Sequence, residues 1–340
     1  VDALVVADKL KIQNHFFNQM KTSPKSFPMT VLKQFFQSAA HRRLVLTLAF
    51  TTPLAINAAD TGKTFATPEA AVSALVAATS AEDTNALRDI FGPATADIAN
   101  PDRVQAANEL NAFTAALNQT NRIVRESDSK CVLEVGEKSW PFPIPVVKKD
   151  GQWFFDTEAG KDEILNRRIG ENELATLQVV RAYVEAQREY AAKDRDGREV
   201  LKFAQKIISS PGMKDGLYWP TELDGEISPL GPLAADAAAE GYGKTPGTER
   251  QPFHGYFFKI LTRQGKHTPG GKYNYVINGN MIGGFALVAW PAEYGESGVM
   301  TFIVNQQGRV YQKDLGPQTA KTAGAMQSYD PDNTWAVSPD

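Results

Sequence analysis

The sequence predicts an α+β fold: N-terminal helices plus a small antiparallel sheet, then a long helix packed on a C-terminal antiparallel meander sheet. Three observations lead there. Apolar residues recur at helical spacing in two blocks, one ending near Leu117 and the other spanning 171–193. Between and after these blocks the period shortens to strand-like runs punctuated by Gly, Pro, Asn and Asp. The run 281–305 holds two such strands, 285–290 and 299–304, around a turn containing Pro291, Gly295 and Gly298.

Taken in order, Thr67-Pro68-Glu69 opens the first helix with a capping hydroxyl, a proline at the first helical position and an acid in the first turn. A second helix covers 84–91 and stops at Gly92-Pro93. Asn100-Pro101-Asp102 starts a third, whose buried stripe is Val104, Leu110, Phe113 and Leu117. Strands at 122–126 and 130–135 follow, then a hairpin of 144–147 and 153–156 through Lys149-Asp150-Gly151. Pro141, Pro143 and Pro145 mark an extended edge, because prolines cannot donate ladder bonds. Residues 161–169 read as a short helix ended by Gly170, and 171–193 as the longest one, with Leu174, Leu177, Val180, Val184 and Tyr190 on its buried face. Short helices are expected at 200–208 and 233–240. Five strands in meander order then cover 253–261, 273–277, 285–290, 299–304 and 309–314. The polar tail 330–340 is expected to be loosely held.

Residues 44–56, LVLTLAFTTPLAI, follow His41-Arg42-Arg43 and precede a small-residue ending at Ala58. A basic flank, a short apolar run and small residues describe a secretory signal peptide. The expected start is Met29 and the expected cleavage follows Ala58, which leaves 1–58 as upstream extension and leader. The remainder divides into an N-terminal α+β domain at 59–160, a helix-plus-sheet domain at 161–329 and the tail. Of 36 Lys/Arg and 39 Asp/Glu, seven and two lie in the leader part, so the rest carries a net charge of −8. That charge, without a basic run, argues against nucleic acid as a partner. No integral membrane segment is expected after the leader, and the lone Cys131 forbids an intrachain disulfide. The expected location is periplasmic or secreted.

Five separated strings resemble one family: 167–174 (RRIGENEL), 182–187 (AYVEAQ), 215–220 (DGLYWP), 255–259 (GYFFK) and the stretch from Gly283. They are similar to the bacterial exported proteins grouped as domain of unknown function 2950. The resemblance implies a Gram-negative envelope location and carries no activity. The order of the C-terminal elements also resembles the globular heads of type IV pilin-like proteins. The N-terminal helices and meander resemble nuclear-transport-factor-2-like domains.

No motif in the mature chain assembles a catalytic set, a cofactor site or a metal site. His254 and His267 have no cysteine partner or fixed spacing to acids. Cys131 alternates with Leu133 and Val135 and reads as a small inward-facing hydrophobe. Asp194–Glu199 echoes a calcium loop, but Arg198 interrupts its run of oxygens and helix termination explains it better. Ser297 lacks the context of a nucleophile elbow, and the glycines of 279–284 precede a strand rather than a helix. The aromatics of the C-terminal sheet read first as a two-sided core and second as a groove for an envelope protein or glycan. A binding site would draw on Trp290, Glu293, Tyr294, Glu296, Tyr256 and His254, with the turn 291–298 facing solvent. The expected function is a non-enzymatic cell-envelope binding or assembly protein. The alternatives are a structural role without a small ligand and a hydrolase of cell-wall or exported polymers. The hydrolase needs Glu293, Glu296 or Asp314 to converge near Trp290 and Tyr294.

Overall fold

The computed structural model describes residues 61–339 except 196, 222–224 and 244–250. The expected leader lies outside the described residues. Thr67 Oγ1 accepts the Ala70 N–H at 3.1 Å and Pro68 opens helix α1 (Pro68–Ser80). Asp83 caps α2 (Thr84–Phe91) through the N–H groups of Asn85 and Ala86. A 3-10 segment, Pro93–Ile98, leads to α3 (Arg103–Gln119), capped by Asp102.

The small sheet is antiparallel, in the order β1 (Asn121–Ser127), β2 (Lys130–Val135), β4 (Val146–Lys149), β5 (Gln152–Phe155). A short β3 (Trp140–Pro141) also pairs with β2. Asp150 and Gly151, at φ +51° and +82°, supply the two left-handed residues that the β4–β5 turn needs. Leu75, Leu117, Leu133, Val146, Trp153 and Phe155 form the first core. Cys131 is fully buried in it, and burial pushes its thiol up. Phe142, between the prolines, is not a free edge residue: its ring packs on Phe113 at 5.0 Å and Phe155 at 6.2 Å.

The helix expected to break at Gly170 does not. Asp156 caps α4 (Thr157–Ala191), which runs 35 residues, about 50 Å, without interruption. A glycine inside a helix costs about 1 kcal/mol against alanine. Packing at both ends of α4 outweighs that, since Ile164 joins the first core and Leu177, Val180, Val184 and Tyr190 join a second.

The helix expected at 200–208 is absent. The segment is extended because tertiary partners claim its backbone. Gln187, fully buried on α4, grips Ala204 with two bonds of 2.8 Å, one to each backbone polar group. Phe203 N–H donates to Met281 at 2.8 Å, and Ser209 N–H to Tyr218 at 2.8 Å. Helix α5 (Gly231–Glu240) then closes with Gly241 at φ +106°.

The main sheet runs β15 (Ala336–Val337), β13 (Tyr311–Asp314), β12 (Met300–Asn305), β11 (Ala286–Pro291), β6 (Tyr256–Leu261), with every pairing antiparallel. Residues 273–277 are not in it, contrary to the expected meander. They lie in an excursion with β7 (Arg263–Gln264), β8 (Tyr273–Asn274), β9 (Val276–Ile277) and β10 (Asn280–Met281). Gln264 closes that excursion by donating to the carbonyls of Pro269 and Gly271 at 2.9 and 2.7 Å. The tail is also held, not loose: β15 pairs with β13, and Ser338 N–H donates to Val310 at 3.0 Å. A further helix, α6 (Thr319–Ala325), and a short β14 (Ser328–Tyr329) had no clear pattern in sequence. All six positions of β11 are buried, which requires cover on both faces; α4, α6 and β14 lie against it. No helix among the described residues is long and apolar enough to cross a membrane.

Two glycines of α4 separate packing from propensity. A Cβ on Gly160 would lie 2.8 Å from the Pro143 carbonyl oxygen, whereas one on Gly170 would meet nothing within 4 Å. Gly160→Ala is expected to destabilise by about 1–3 kcal/mol and Gly170→Ala to stabilise by about 1 kcal/mol, both read from urea unfolding midpoints.

Candidate functional site

The expected site residues surround the turn between β11 and β12, but two of them are core. Tyr256 is fully buried, donates its hydroxyl to the Met300 carbonyl at 2.9 Å and lies tight beneath Gly298. Trp290 is 6% exposed and packs on Phe257 at 6.0 Å. Neither ring is presented to a ligand. Tyr294 is half-buried and donates to Asp314 at 3.2 Å; burial and that carboxylate both raise its hydroxyl pKa.

The turn itself is not open to solvent throughout. Ser297 is buried, bonds the Glu293 backbone at both ends, and its carbonyl accepts from Asn172 Nδ2 at 2.8 Å. Only the Glu293 and Glu296 side chains reach outward. Glu296 faces Arg168 while Asp314 takes Tyr294, so the acids proposed for a hydrolase face different elements.

Behind the turn lies a polar crossing of α3, α4, the end of α5 and the start of β6. Asp102, 2% exposed, is its centre. One oxygen caps α3 through Val104 and Gln105, both at 3.1 Å. The other accepts from Tyr242 at 2.7 Å and from the Gly255 N–H at 3.2 Å. His254, at φ +47°, sits next to this bond, with its Nε2 3.3 Å from Glu240 and its ring on Phe253 at 4.4 Å. Gln105 Nε2 donates to Asn172 at 2.9 Å, which joins α3 to α4. Arg168 is buried and donates to the carbonyls of Ile98 and Ala99. Glu173 accepts the Val299 and Met300 N–H groups at 3.0 and 2.9 Å, pinning α4 to β12.

Three carboxyls here are raised above the ordinary glutamate range. Loss of hydration is the main cause for Glu109, Glu171 and Glu173. Glu171 also feels the Glu109 charge, and two backbone bonds partly offset the effect at Glu173. Glu109 and Glu171 keep a solvent-facing side at the rim, while neighbouring protein displaces much of their water. Sequence reasoning found none of these carboxyls, nor Asp102 beyond its capping role. Tyr242 lies 140 residues from its partner Asp102, with no local signal to pair them.

A second cluster holds the 190–226 loop. Lys193, Arg195 and Lys214 converge on Glu226 at 3.0, 2.5 and 2.5 Å. Trp219 lies between Arg195 and Lys214, 5.2 and 5.4 Å from its ring, and donates to the Glu226 carbonyl. The hydrogen bond from Lys214 is the main cause that holds the Glu226 carboxyl down at about 2. In the calcium-like segment, Asp194 spends both oxygens on the N–H groups of Gly197 and Glu199. Residue 196 of that segment lies outside the described residues. His267 Nδ1 is 3.1 Å from Asp330, on the surface. Among the described residues no three His, Cys, Asp or Glu side chains are grouped to hold a metal ion.

The exposed surface has its own pattern. Leu201, Ile208, Met213, Ile227, Tyr273, Ile277 and Ile282 are all exposed large hydrophobics. They fall in two excursions, 200–228 and 273–283, which are tied together. Besides the Phe203–Met281 bond, Lys202 reaches Asn280 at 3.2 Å and Gln205 reaches the Gly279 carbonyl at 2.8 Å. Ile208, Pro211, Met213, Tyr218 and Pro220 line a shallow hollow of about 530 Å³ on this ridge.

The architecture is thus an α+β protein in which one helix joins two cores and an aliphatic ridge projects from the second. The chain belongs to the family described as Protein of unknown function (DUF2950), which matches residues 62–337. No curated protein and no solved structure matches it.

Removing the Asp102 carboxylate leaves the Tyr242 hydroxyl and the Gly255 N–H without an acceptor. Asp102→Ala is expected to cost roughly 3 kcal/mol and Tyr242→Phe about 1 kcal/mol, measured by chemical unfolding. Glu226 gives a pH signature. Its folded value lies below its ordinary 4.5, so its contribution is present above that value and lost as pH falls towards about 2. Glu226→Gln is expected to lower the melting temperature at neutral pH and to flatten its fall in that acid window.

Proposed function

We propose that this chain is an exported cell-envelope binding or assembly protein that engages a protein partner through the aliphatic ridge. One observation carries the reading: among the described residues, seven of the ten exposed large hydrophobics are gathered on two excursions bound to each other, while Trp140, Leu174 and Val337 stand apart on other elements. Clustered apolar exposure marks interaction surfaces, whereas isolated exposed residues need no explanation. The ridge is almost wholly aliphatic, with Tyr273 its one exposed aromatic of high exposure, and this chemistry suits a protein surface better than a glycan. The leader-like pattern of 29–58 and the acidic balance of the remainder support export to the envelope.

The test places a photo-crosslinking residue at Ile208 or Met213 in the full chain, produced in its native host. A discrete adduct in the envelope fraction is expected, lost in a Leu201→Glu/Ile282→Glu background. No adduct, or the same adducts from a probe at exposed Lys149, would overturn the binding reading. Sequencing of the fractionated protein is expected to begin at Ala59; a cytoplasmic chain that retains residues 29–58 would overturn export.

A further inference from the structure

We infer that β1, the outer strand of the small sheet, pairs edge to edge with β1 of a second copy of this chain. The pairing is antiparallel, with Ile123 facing Ile123 of the second copy across a two-fold axis.

The edge is long and open. β1 runs seven residues and pairs with β2 alone. The ladder fixes where its backbone groups point. Gly136 N–H donates to the Thr120 carbonyl at 2.9 Å, while Leu133, opposite Ile123, turns its carbonyl away to the Phe142 N–H at 2.7 Å. Backbone groups alternate along an antiparallel strand, so Thr120, Arg122 and Val124 bond towards β2. Asn121, Ile123 and Arg125 therefore present N–H and C=O outward, and no described residue takes them. The other edges of the two larger sheets are treated differently. Phe65 exchanges backbone bonds of 2.7 and 2.8 Å with Trp153 along β5. At β6, Phe253 pairs with Tyr256 at one end and Tyr275 N–H reaches Thr262 just past the other, at 2.8 Å. β15 has only two residues.

Proteins blunt open edges with proline, with bulges or with charge projected over them. β1 contains no proline, and its bulge falls between Arg125 and Ser127, beyond the three outward residues. Its charges are drawn back into their own chain. Arg122 Nε lies 3.1 Å from Glu134 on β2, Arg125 3.9 Å from Glu69 on α1, and Glu126 2.9 Å from Lys130.

Side-chain complementarity selects a second copy as the occupant. With the axis at Ile123, all three outward residues bond one another, Asn121 pairing with Arg125 of the second copy in both directions. Arg122 then stands opposite Val124 of the second copy, with Glu126 of that copy diagonal to it and within reach of a long side chain. An axis at Arg122 or at Arg125 would set like charges face to face, which is unfavourable. An axis at Val124 would leave Asn121 opposite Ser127, which lies past the bulge and out of phase with the outward set. Ile123 and Val124, both half-buried, lose their remaining exposure in the pair. This seam lies on a different sheet from the aliphatic ridge and leaves that surface free.

The test is sedimentation equilibrium of the full chain purified from its native host. A single strand seam is a small interface, so concentrations run to about 100 μM, where a dimer is expected. Val124→Arg would face Arg122 of the other copy twice and is expected to weaken the dimer by about tenfold. Val124→Glu would face the same arginines and is expected to strengthen it. Both put a long charged side chain in one place, so a general loss of packing would weaken the dimer in both. Asn121→Arg and Asn121→Asp, at an exposed residue opposite Arg125 of the second copy, repeat the contrast if the valine variants fail to fold. A monomer throughout the range would overturn the proposal. So would a dimer indifferent to the sign of the charge, because another face would then hold it.

Discussion

One helix serves two hydrophobic cores, and most of the architecture answers to that constraint. The first turns of α4 enter the N-terminal core so closely that Gly160 touches the Pro143 carbonyl and Ile144. Its last turns roof the main sheet with Leu177, Val180, Tyr183 and Val184. The middle belongs to neither core, so its side chains must satisfy polar groups instead of filling apolar space. Arg168 takes two carbonyls of the 98–99 loop, Asn172 takes Gln105 and Ser297, and Glu173 takes two N–H groups at the head of β12. Buried backbone groups need partners, and here one helix supplies them to three other segments.

Elements whose cause is local were legible in the sequence. Caps at Thr67 and Asp102 start helices where proline and acid signals placed them, and the β4–β5 turn has the left-handed residues its strands require. Strands β11 and β12 fall within a residue of their apolar runs. Elements with a distant cause were not legible. Residues 200–208 carry a helical composition, yet Gln187 and Met281 hold them extended. Gly170 looks like a stop, yet the cores on either side carry the helix through it. Residues 273–277 look like one more strand of the meander, but Gln264 folds their loop back.

The site shows the same division. Pro291, Gly295 and Gly298 mark the turn that carries Glu293 and Glu296, so its place between two strands is readable locally. Asp102 was visible only as a cap, because nothing near it announces Tyr242 or Gly255. Aromatic residues misled in the opposite direction. Tyr256 and Trp290 occupy a strand environment buried on both faces, and a ring in such a place contributes area rather than recognition.

The loop bearing Ile208 and Met213 shows why its apolar side chains can point outward. The segment is anchored in two ways. Ala204, Leu217 and Trp219 are buried in the second core, and polar contacts hold the rest: Glu226 gathers three cations, two of which lie near the Trp219 ring, and Gln187 grips Ala204. Lys206 and Asp215, 2.6 Å apart, brace the bend around Ser210. With its backbone fixed by these contacts, the loop loses little further freedom when a partner covers its aliphatic tips. Preorganisation of that kind strengthens binding by lowering its entropic cost. The anchors and the exposed ridge are therefore two parts of one arrangement, in which buried residues and charges hold the loop and leave its aliphatic side chains free to meet a partner.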